Sequence, residues 1–339
     1  MTDAWRIRPF DPGDYGAIVS VMNLAAPRSP TTVARVRDWD ENRPAHLKAG
    51  RWVVEAKDAI VAVGAFSQSP DLYHPQKFQI AIHVHPAHQG RGIGSSLFDV
   101  VTGQLQPHDP IGYQGRAYAD DERALRFLVQ RGFQEDFRTW ESVLDVERFD
   151  PSPWQGLEEQ LRAQGIQIRS LAEIGDDPGR DRQIFELERD TMRDIPSPPS
   201  VTSHREDLTP EQIEERFARY VERALHHPDR PPESFFVARR GGEYIGLSYF
   251  ELDREHRIAE ILMTGVTREY RGRGVGTALK VRGVRYACDH GYRTIITGND
   301  TLNRPILAIN DRLGFVRQPQ LIFFEKSLER PVEATTDNA

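Results

Sequence analysis

Two six-residue stretches decide the fold: Gln89-Gly90-Arg91-Gly92-Ile93-Gly94 and Arg271-Gly272-Arg273-Gly274-Val275-Gly276. Each stretch follows an apolar run typical of a strand and precedes a run typical of a helix. The first turn of a helix presents unpaired backbone N–H groups, and glycine lets a phosphate group approach them closely. The motif therefore predicts a loop that binds a pyrophosphate, and this chain contains it twice.

The motif belongs to a longer internal repeat. Gly272 follows Gly90 by 182 residues, and Gly132-Phe133 recurs as Gly314-Phe315 at the same offset. Self-similarity of this length predicts two related domains. We place the first domain at residues 1–148, a linker at 149–165, the second domain at 166–329 and a disordered polar tail at 330–339.

Composition limits the functions open to the chain. The chain has 339 residues, a net charge of −7 and no apolar stretch long enough to cross a bilayer, so we expect neither a nucleic-acid nor a membrane partner. Cys288 is the only cysteine, which fits a cytoplasmic protein without an intramolecular disulfide. His83, His85 and His88 lack the carboxylate or thiol spacing of a metal site, and we expect none. We expect a monomer or homodimer.

Both halves show the same order of predicted elements. A short strand precedes helical segments, a strand pair and a long strand that leads into the glycine motif. A helix, a strand, a short helix and a last strand follow. Gly241-Gly242 between two apolar runs predicts a tight hairpin in the second half. The order predicts an α/β class fold in each half.

At this point the sequence resembles a known family. The pattern Gln/Arg-x-x-Gly-x-Gly after a strand, with Gly-Phe some forty residues on, is similar to the GCN5-related N-acetyltransferase (GNAT) superfamily. The resemblance covers Trp5–Val146 and Gln167–Leu328, and the tandem arrangement is similar to the mycothiol synthase-like acetyltransferases. It implies two acyl-CoA N-acyltransferase folds, each with a central mixed sheet that splays open. It also implies acetyl-CoA as donor and direct attack by a primary amine of a small molecule or peptide, through a tetrahedral intermediate.

The resemblance also implies which residues hold CoA. In the second half they are Gly265, Val266, Arg271, Gly272, Arg273, Gly274, Val275, Gly276, Thr277 and Asn303. In the first half they are Val84, Gln89, Gly90, Arg91, Gly92, Ile93, Gly94 and Ser95. Asn303 also precedes Pro305, which is typical of a helix start, so we expect it to cap a helix as well.

Polar residues single out the second half for chemistry. Glu260 is a candidate base, and Thr264 lies four residues on along the strand, which by simple alternation places both on one face. Asn310 stands where the family usually has a tyrosine acid, and it can only form hydrogen bonds there. The first-half equivalents of these three positions are apolar: Phe78, Ile82 and Leu128. His83 and His85 are the remaining first-half candidates for a base.

The second half contains about 21 extra residues before its second strand, which we place in the Pro-rich segment Arg193–Glu211. We expect residues 194–199 within this segment to form a wall of the acceptor pocket, with Asp194 or the flanking Met192 facing a cationic amine. Two alternatives stay open. The chain could be a non-catalytic acyl-CoA-binding or regulatory protein, or both halves could act on different acceptors.

Overall fold

The computed structural model describes residues 5–68, 73–175, 177–195 and 209–328. Its contacts divide the chain into two compact units, each built from segments distant in sequence. The first unit comprises residues 1–117, 121–136 and 323–339, and the second comprises 118–120 and 137–322. This division differs from the predicted domains, residues 1–148 and 166–329, mainly in two strands. Most of the strand before the linker belongs to the second unit, and most of the last strand belongs to the first.

The strands and helices have the following bounds. The strands are β1 Trp5–Pro9, β2 Ala49–Ala56, β3 Ala59–Ser67, β4 Lys77–Val84, β5 Gly112–Tyr118, β6 Gln134–Asp145, β7 Ile166–Ser170, β8 Phe235–Arg240, β9 Glu243–Asp253, β10 Ile258–Val266, β11 Thr294–Asp300, β12 Val316–Arg317 and β13 Leu321–Ser327. The helices are α1 Tyr15–Ala25, α2 Val33–Glu41, α3 Ile93–Gly103, α4 Glu122–Val129, α5 Leu157–Ala163, α6 Leu171–Ile174, α7 Arg180–Met192, α8 Pro210–Tyr220, α9 Val275–Asp289 and α10 Arg304–Leu313.

The first unit is a mixed sheet in the order β1-β2-β3-β4-β5-β13. Helix α1 covers one face, where Ile18 packs with Val53 and Val63, and α3 covers the other, where Leu97 packs with Val54. Strands β4 and β5 are parallel neighbours only as far as Gln79. Beyond that residue the two strands separate, which confirms the expected opening in the sheet.

The second unit repeats this plan in the order β6-β11-β10-β9-β8-β7, with β12 on β6. Helix α9 packs on one face against Phe250 and Ile261, and α7 packs on the other against Leu247 and Met263. Strands β10 and β11 are parallel neighbours only as far as Ile261, which pairs with Thr297. The opening between these two strands places the candidate site.

Local chemistry explains where the predicted turns and helices form. Gly241 and Gly242 both have positive φ, +56° and +95°, so the predicted hairpin turn uses backbone angles that other residues rarely adopt. Helices α3 and α9 begin immediately after glycines of the two motifs, which confirms the predicted order of strand, glycine loop and helix. Within the described residues, no helix is long and apolar enough to span a membrane.

Candidate active site

Both glycine motifs form left-handed turns at the start of a long helix. Gly90 and Gly92 have φ of +77° and +82°, and Gly272 and Gly274 have +74° and +87°. In the described part of the chain, no side chain caps the N-terminus of α3 or α9. The first-turn N–H groups therefore remain available to an anion, and the helix dipole favours one there. Space for that anion exists, because a Cβ added at Gly272 or Gly92 meets nothing within 4 Å.

The first residue of each motif braces the loop. Gln89 donates from Nε2 to the Val84 carbonyl at 3.1 Å, and Arg271 donates from Nε to the Val266 carbonyl at 2.9 Å. The same bond thus ties the loop to the end of its strand in both halves. Arg271 is engaged by this bond, so its main effect is to hold the loop in shape. The internal repeat could have revealed this brace, because both positions carry a long donor side chain.

Asp194 lies beside the second glycine loop. Its carboxylate accepts hydrogen bonds from Arg268 and, at 2.6 Å, from Arg271 Nη2. The Arg268 hydrogen bond is the main reason that the pKa of Asp194 is lowered to about 2. Two guanidinium groups already offset this charge, and their hydrogen bonds tie Asp194 to the second glycine loop. Of the predicted pocket wall, residues 196–199 lie outside the described residues.

Strand β10 carries a β-bulge at the opening. Its pairing with β9 runs Glu260 to Glu251 and Thr264 to Ser248, with a register shift between Ile261 and Met263. Glu251 and Ser248 are three residues apart on β9, so their side chains point to opposite faces. The expectation that Glu260 and Thr264 share a face is therefore wrong, because the bulged residue, Leu262, reverses the alternation.

The α9 face of the opening carries Thr264 and three asparagines. Thr264 shares a 2.9 Å hydrogen bond with Ser248. Asn299 lies at the end of β11, and Asn303 occupies the N-cap position of α10, although its side chain makes no capping bond. Asn310 is fully buried and hydrogen-bonds to Lys280 and Asn299.

The opposite face, against α7 and α8, carries carboxylates and tyrosines. Glu188 of α7 accepts hydrogen bonds from the Tyr220 hydroxyl at 2.7 Å and the Tyr249 hydroxyl at 3.1 Å. Glu251 accepts from Arg230 at 2.7 Å and pairs with Glu260 across the strands. Burial and the Glu188 charge raise the pKa of Tyr220 well above its usual value. Sequence analysis identified only Glu260 of this group, because its members come from five separate segments.

A groove of about 270 Å³ lies elsewhere in the second unit, between α5 and α9. Trp154, Arg162 and Arg285 are among the residues that line it, and none comes from β10 or β11. We therefore do not place the chemistry there. Helix α5 lies next to the second glycine loop, because a Cβ added at Gly274 would be 3.2 Å from Leu157 Cδ1.

A match to a protein-family profile identifies the family of the chain. The profile of the acetyltransferase (GNAT) family matches residues 18–133 and 191–315, which span both glycine loops. The chain belongs to this family. It is an acyltransferase, and GNAT enzymes use acetyl-CoA to acetylate an amine.

The tandem GNAT arrangement has both sequence relatives and structural neighbours. The chain is 27% identical to a mycothiol acetyltransferase of Amycolatopsis mediterranei over 245 residues, which cover 70% of this chain and 71% of the relative. It is also 27% identical to one of Streptomyces avermitilis over 315 residues, covering 90% and 89%. A tandem GNAT protein of the clavulanic acid biosynthesis pathway, 19% identical, superposes with a TM-score of 0.73 over 97% of this chain and all of that one. A GCN5-related N-acetyltransferase from Sphaerobacter thermophilus, 20% identical, gives 0.69 over 97% of each chain.

The first GNAT unit lacks the polar features of the second. Strand β4 pairs with β3 in unbroken register from Gln79 to Val84, so it has no counterpart of the β10 bulge. Burial lowers the pKa of His83 to about 4, which makes this imidazole a poor base near neutral pH. His85 accepts a hydrogen bond from the Ala87 backbone N–H through Nδ1 at 3.1 Å and so caps a short turn.

Proposed function

We propose that the second unit transfers an acetyl group from acetyl-CoA to a primary amine of a small molecule or peptide. One observation carries the assignment: β10 is bulged at the point where it parts from β11, whereas β4 is regular. Bulges of this kind re-aim backbone and side-chain groups beside active sites. Here the bulge turns Glu260 to the α7 face and leaves Thr264 on the α9 face.

The residues of the second glycine loop fit the phosphates of CoA. Backbone N–H groups of residues 271–277 would hold the pyrophosphate, and the strand end at Gly265 and Val266 would hold the pantetheine arm. Asn303, whose side chain makes no capping bond, is available to contact the same ligand. When bound, acetyl-CoA supplies a thioester carbonyl at the opening of the sheet. The first loop has the same backbone shape, and we propose that it is a second CoA site without an acceptor site.

The chain's own groups then supply acid–base and electrostatic help. Glu260 accepts a proton from the amine, directly or through a water molecule, because an alkylammonium has a pKa of about 10 and must lose that proton first. Beyond Ile261, β10 has no hydrogen-bonded neighbour on its β11 side. Backbone N–H groups of this segment that face the opening can stabilise the negative charge that develops on the carbonyl oxygen.

The charges on the α7 face fit a cationic acceptor. Glu188, Glu251 and Glu260 bring three carboxylates to this face, and Arg230 brings one guanidinium bonded to Glu251. An excess of carboxylates attracts an alkylammonium and disfavours an anionic acceptor. We therefore place the acceptor on the α7 face, opposite the phosphate loop. This placement replaces Asp194 with Glu188 as the acidic group on the substrate side.

The test compares Glu260→Gln with Asp194→Asn. Both are made with Cys288→Ser, because the exposed Cys288 thiol would react with the dye that detects released CoA. Over a panel of amines, we expect Glu260→Gln to lower kcat/KM about tenfold or more. Asp194→Asn should keep the acceptor KM within about twofold.

Other outcomes would distinguish catalysis by the second unit from the two alternatives, a non-catalytic protein and chemistry in the first unit. An unchanged Glu260→Gln enzyme would exclude this carboxylate as the base and move the chemistry elsewhere, including to the first unit. If the unmodified protein bound acetyl-CoA but released no CoA with any amine, the non-catalytic alternative would be favoured. A rise in acceptor KM in Asp194→Asn alone would restore the original role of Asp194.

A further inference from the structure

Helix α9 buries a lysine beneath the opening. Lys280 is 1% exposed, and its Nζ donates to Asn310 Oδ1 at 2.8 Å. Its other described contact is the ring of Phe315, 5.5 Å from Nζ to the centroid. Burying an amine without a carboxylate partner is costly, so a hydrophobic residue would pack this position more cheaply. The lysine therefore calls for an explanation beyond packing.

Lys280 fixes the direction of a hydrogen-bond chain. Because Asn310 accepts from Lys280 through Oδ1, its Nδ2 must be the end that donates to Asn299 Oδ1, at 2.8 Å. Asn299 therefore accepts from Asn310 through its oxygen and keeps its Nδ2 donors for other partners. Without Lys280, the side-chain amides of Asn310 and Asn299 could both rotate by 180°, and Asn299 would then keep its oxygen instead of its Nδ2 for other partners.

Asn299 is the residue of this hydrogen-bond chain that lies at the opening between β10 and β11. Strand β11 pairs with β10 as far as Thr297, and Asn299 lies two residues further along the same strand. It shares a face with Ile295, whose side chain belongs to the core beneath α9. Thr264 lies on that same face of β10. Asn299 is half-buried, so its amide is at the edge of the space that separates the two strands.

We propose that Lys280 and Asn310 hold the Asn299 amide as a hydrogen-bond donor to the sulfur that leaves CoA. The inference rests on the proposed acetyl transfer. The amine nitrogen bonds to the thioester carbon, the C–S bond breaks, and its electron pair stays on sulfur. Asn299 stabilises that thiolate without giving up a proton. The alkylammonium proton that Glu260 accepts before the attack passes to solvent, and the second proton, which the nitrogen loses as the amide forms, then goes to Glu260. Asn299 is then a catalytic residue beside Glu260, and Lys280 and Asn310 are positioning residues. A tyrosine acid is not needed in this arrangement.

The test is a titration of free CoA bound to the protein, followed by thiolate absorbance in the ultraviolet. Cys288→Ser removes the only protein thiol. We expect bound CoA to ionise below the roughly 8.5 typical of a free thiol. Lys280→Met, Asn310→Leu and Asn299→Leu should each raise the midpoint by about one pH unit, equivalent to a tenfold loss of thiolate stabilisation. Asn299→Asp, of the same shape, should raise it at least as much.

The outcomes separate this inference from the proposed function. CoA that binds normally and ionises at the same pH in all variants would overturn the donor role and leave acetyl transfer by the second unit standing. A shift in Lys280→Met alone would mean that the lysine acts through its charge, which also overturns the chain. Failure of the unmodified protein to bind CoA would refute the proposed function, and this inference with it.

Discussion

At the scale of single residues, burial decides what the polar side chains of the second unit can do. Asn310, which the sequence placed where the family usually has a tyrosine acid, is fully buried and bonded on both sides. Asp194, offered as an amine-binding acid, is held by two arginines beside the phosphate loop. Glu188, which no sequence motif marked, accepts bonds from two tyrosine hydroxyls on the α7 face.

Lys280 should make stability depend on pH. Burial lowers its pKa from 10.5 to about 7, so between these values the unfolded chain holds a proton that the folded protein has lost. The free energy of unfolding contributed by this group therefore rises from about pH 7 to 10.5 and is constant below that window. Lys280→Met should raise the Tm at pH 7 and flatten its dependence on pH between 7 and 10.

Thermal unfolding at several pH values measures this effect, with the exposed Lys48→Met as the matched control. The control should leave the pH dependence as it is. Equal pH slopes in the Lys280→Met variant and the unmodified protein would show that the ammonium is accommodated in the folded state, contrary to this account.

At the scale of the element, one bulge in β10 sets the layout of the site. It places Glu260 on the α7 face and Thr264 on the α9 face, which we propose bind the acceptor and the cofactor respectively. Thr264→Val removes a hydroxyl and keeps the shape of the side chain. We expect it to raise the KM for acetyl-CoA several-fold and to leave the acceptor KM within about twofold. Steady-state kinetics with each substrate varied in turn measures both KM values. Simple strand alternation predicts the reverse pattern, a raised acceptor KM with the KM for acetyl-CoA unchanged.

The sequence predicted the elements better than their details. The two glycine motifs and their common offset located both loops and the helices after them, and the resemblance to the GNAT superfamily implied the openings in the sheets. The bulge was missed because nothing in Ile261, Leu262 and Met263 distinguishes a bulged strand from a regular one. Lys280 was missed because one lysine in an apolar helix is ordinarily exposed to solvent. Glu188 and Glu251 on the α7 face were missed because the fold, not the sequence, brings them next to Glu260.

At the scale of the whole molecule, two units with the same backbone plan have different side chains in the opening. The first unit keeps the glycine loop and its brace from Gln89, but its strand is regular and desolvation lowers the pKa of His83. The strand exchange between the halves was not predicted, because local periodicity does not reveal which sheet a strand joins. Both units share the backbone of the glycine loop, and we propose that chemistry persists in one.

The most direct test of this division uses matched cradle variants, Gly272→Glu and Gly90→Glu. These glycines suit the purpose because an added Cβ has room at Gly272 and meets only the tip of Arg123 at Gly90, whereas one at Gly274 would crowd Leu157. Both have positive φ, so Gly272→Ala and Gly90→Ala report the backbone strain alone. Turnover and the number of CoA molecules bound are measured together. We predict that each glutamate abolishes one binding site and that only Gly272→Glu abolishes turnover; loss of turnover in Gly90→Glu, with Gly272→Glu still active, would contradict the assignment.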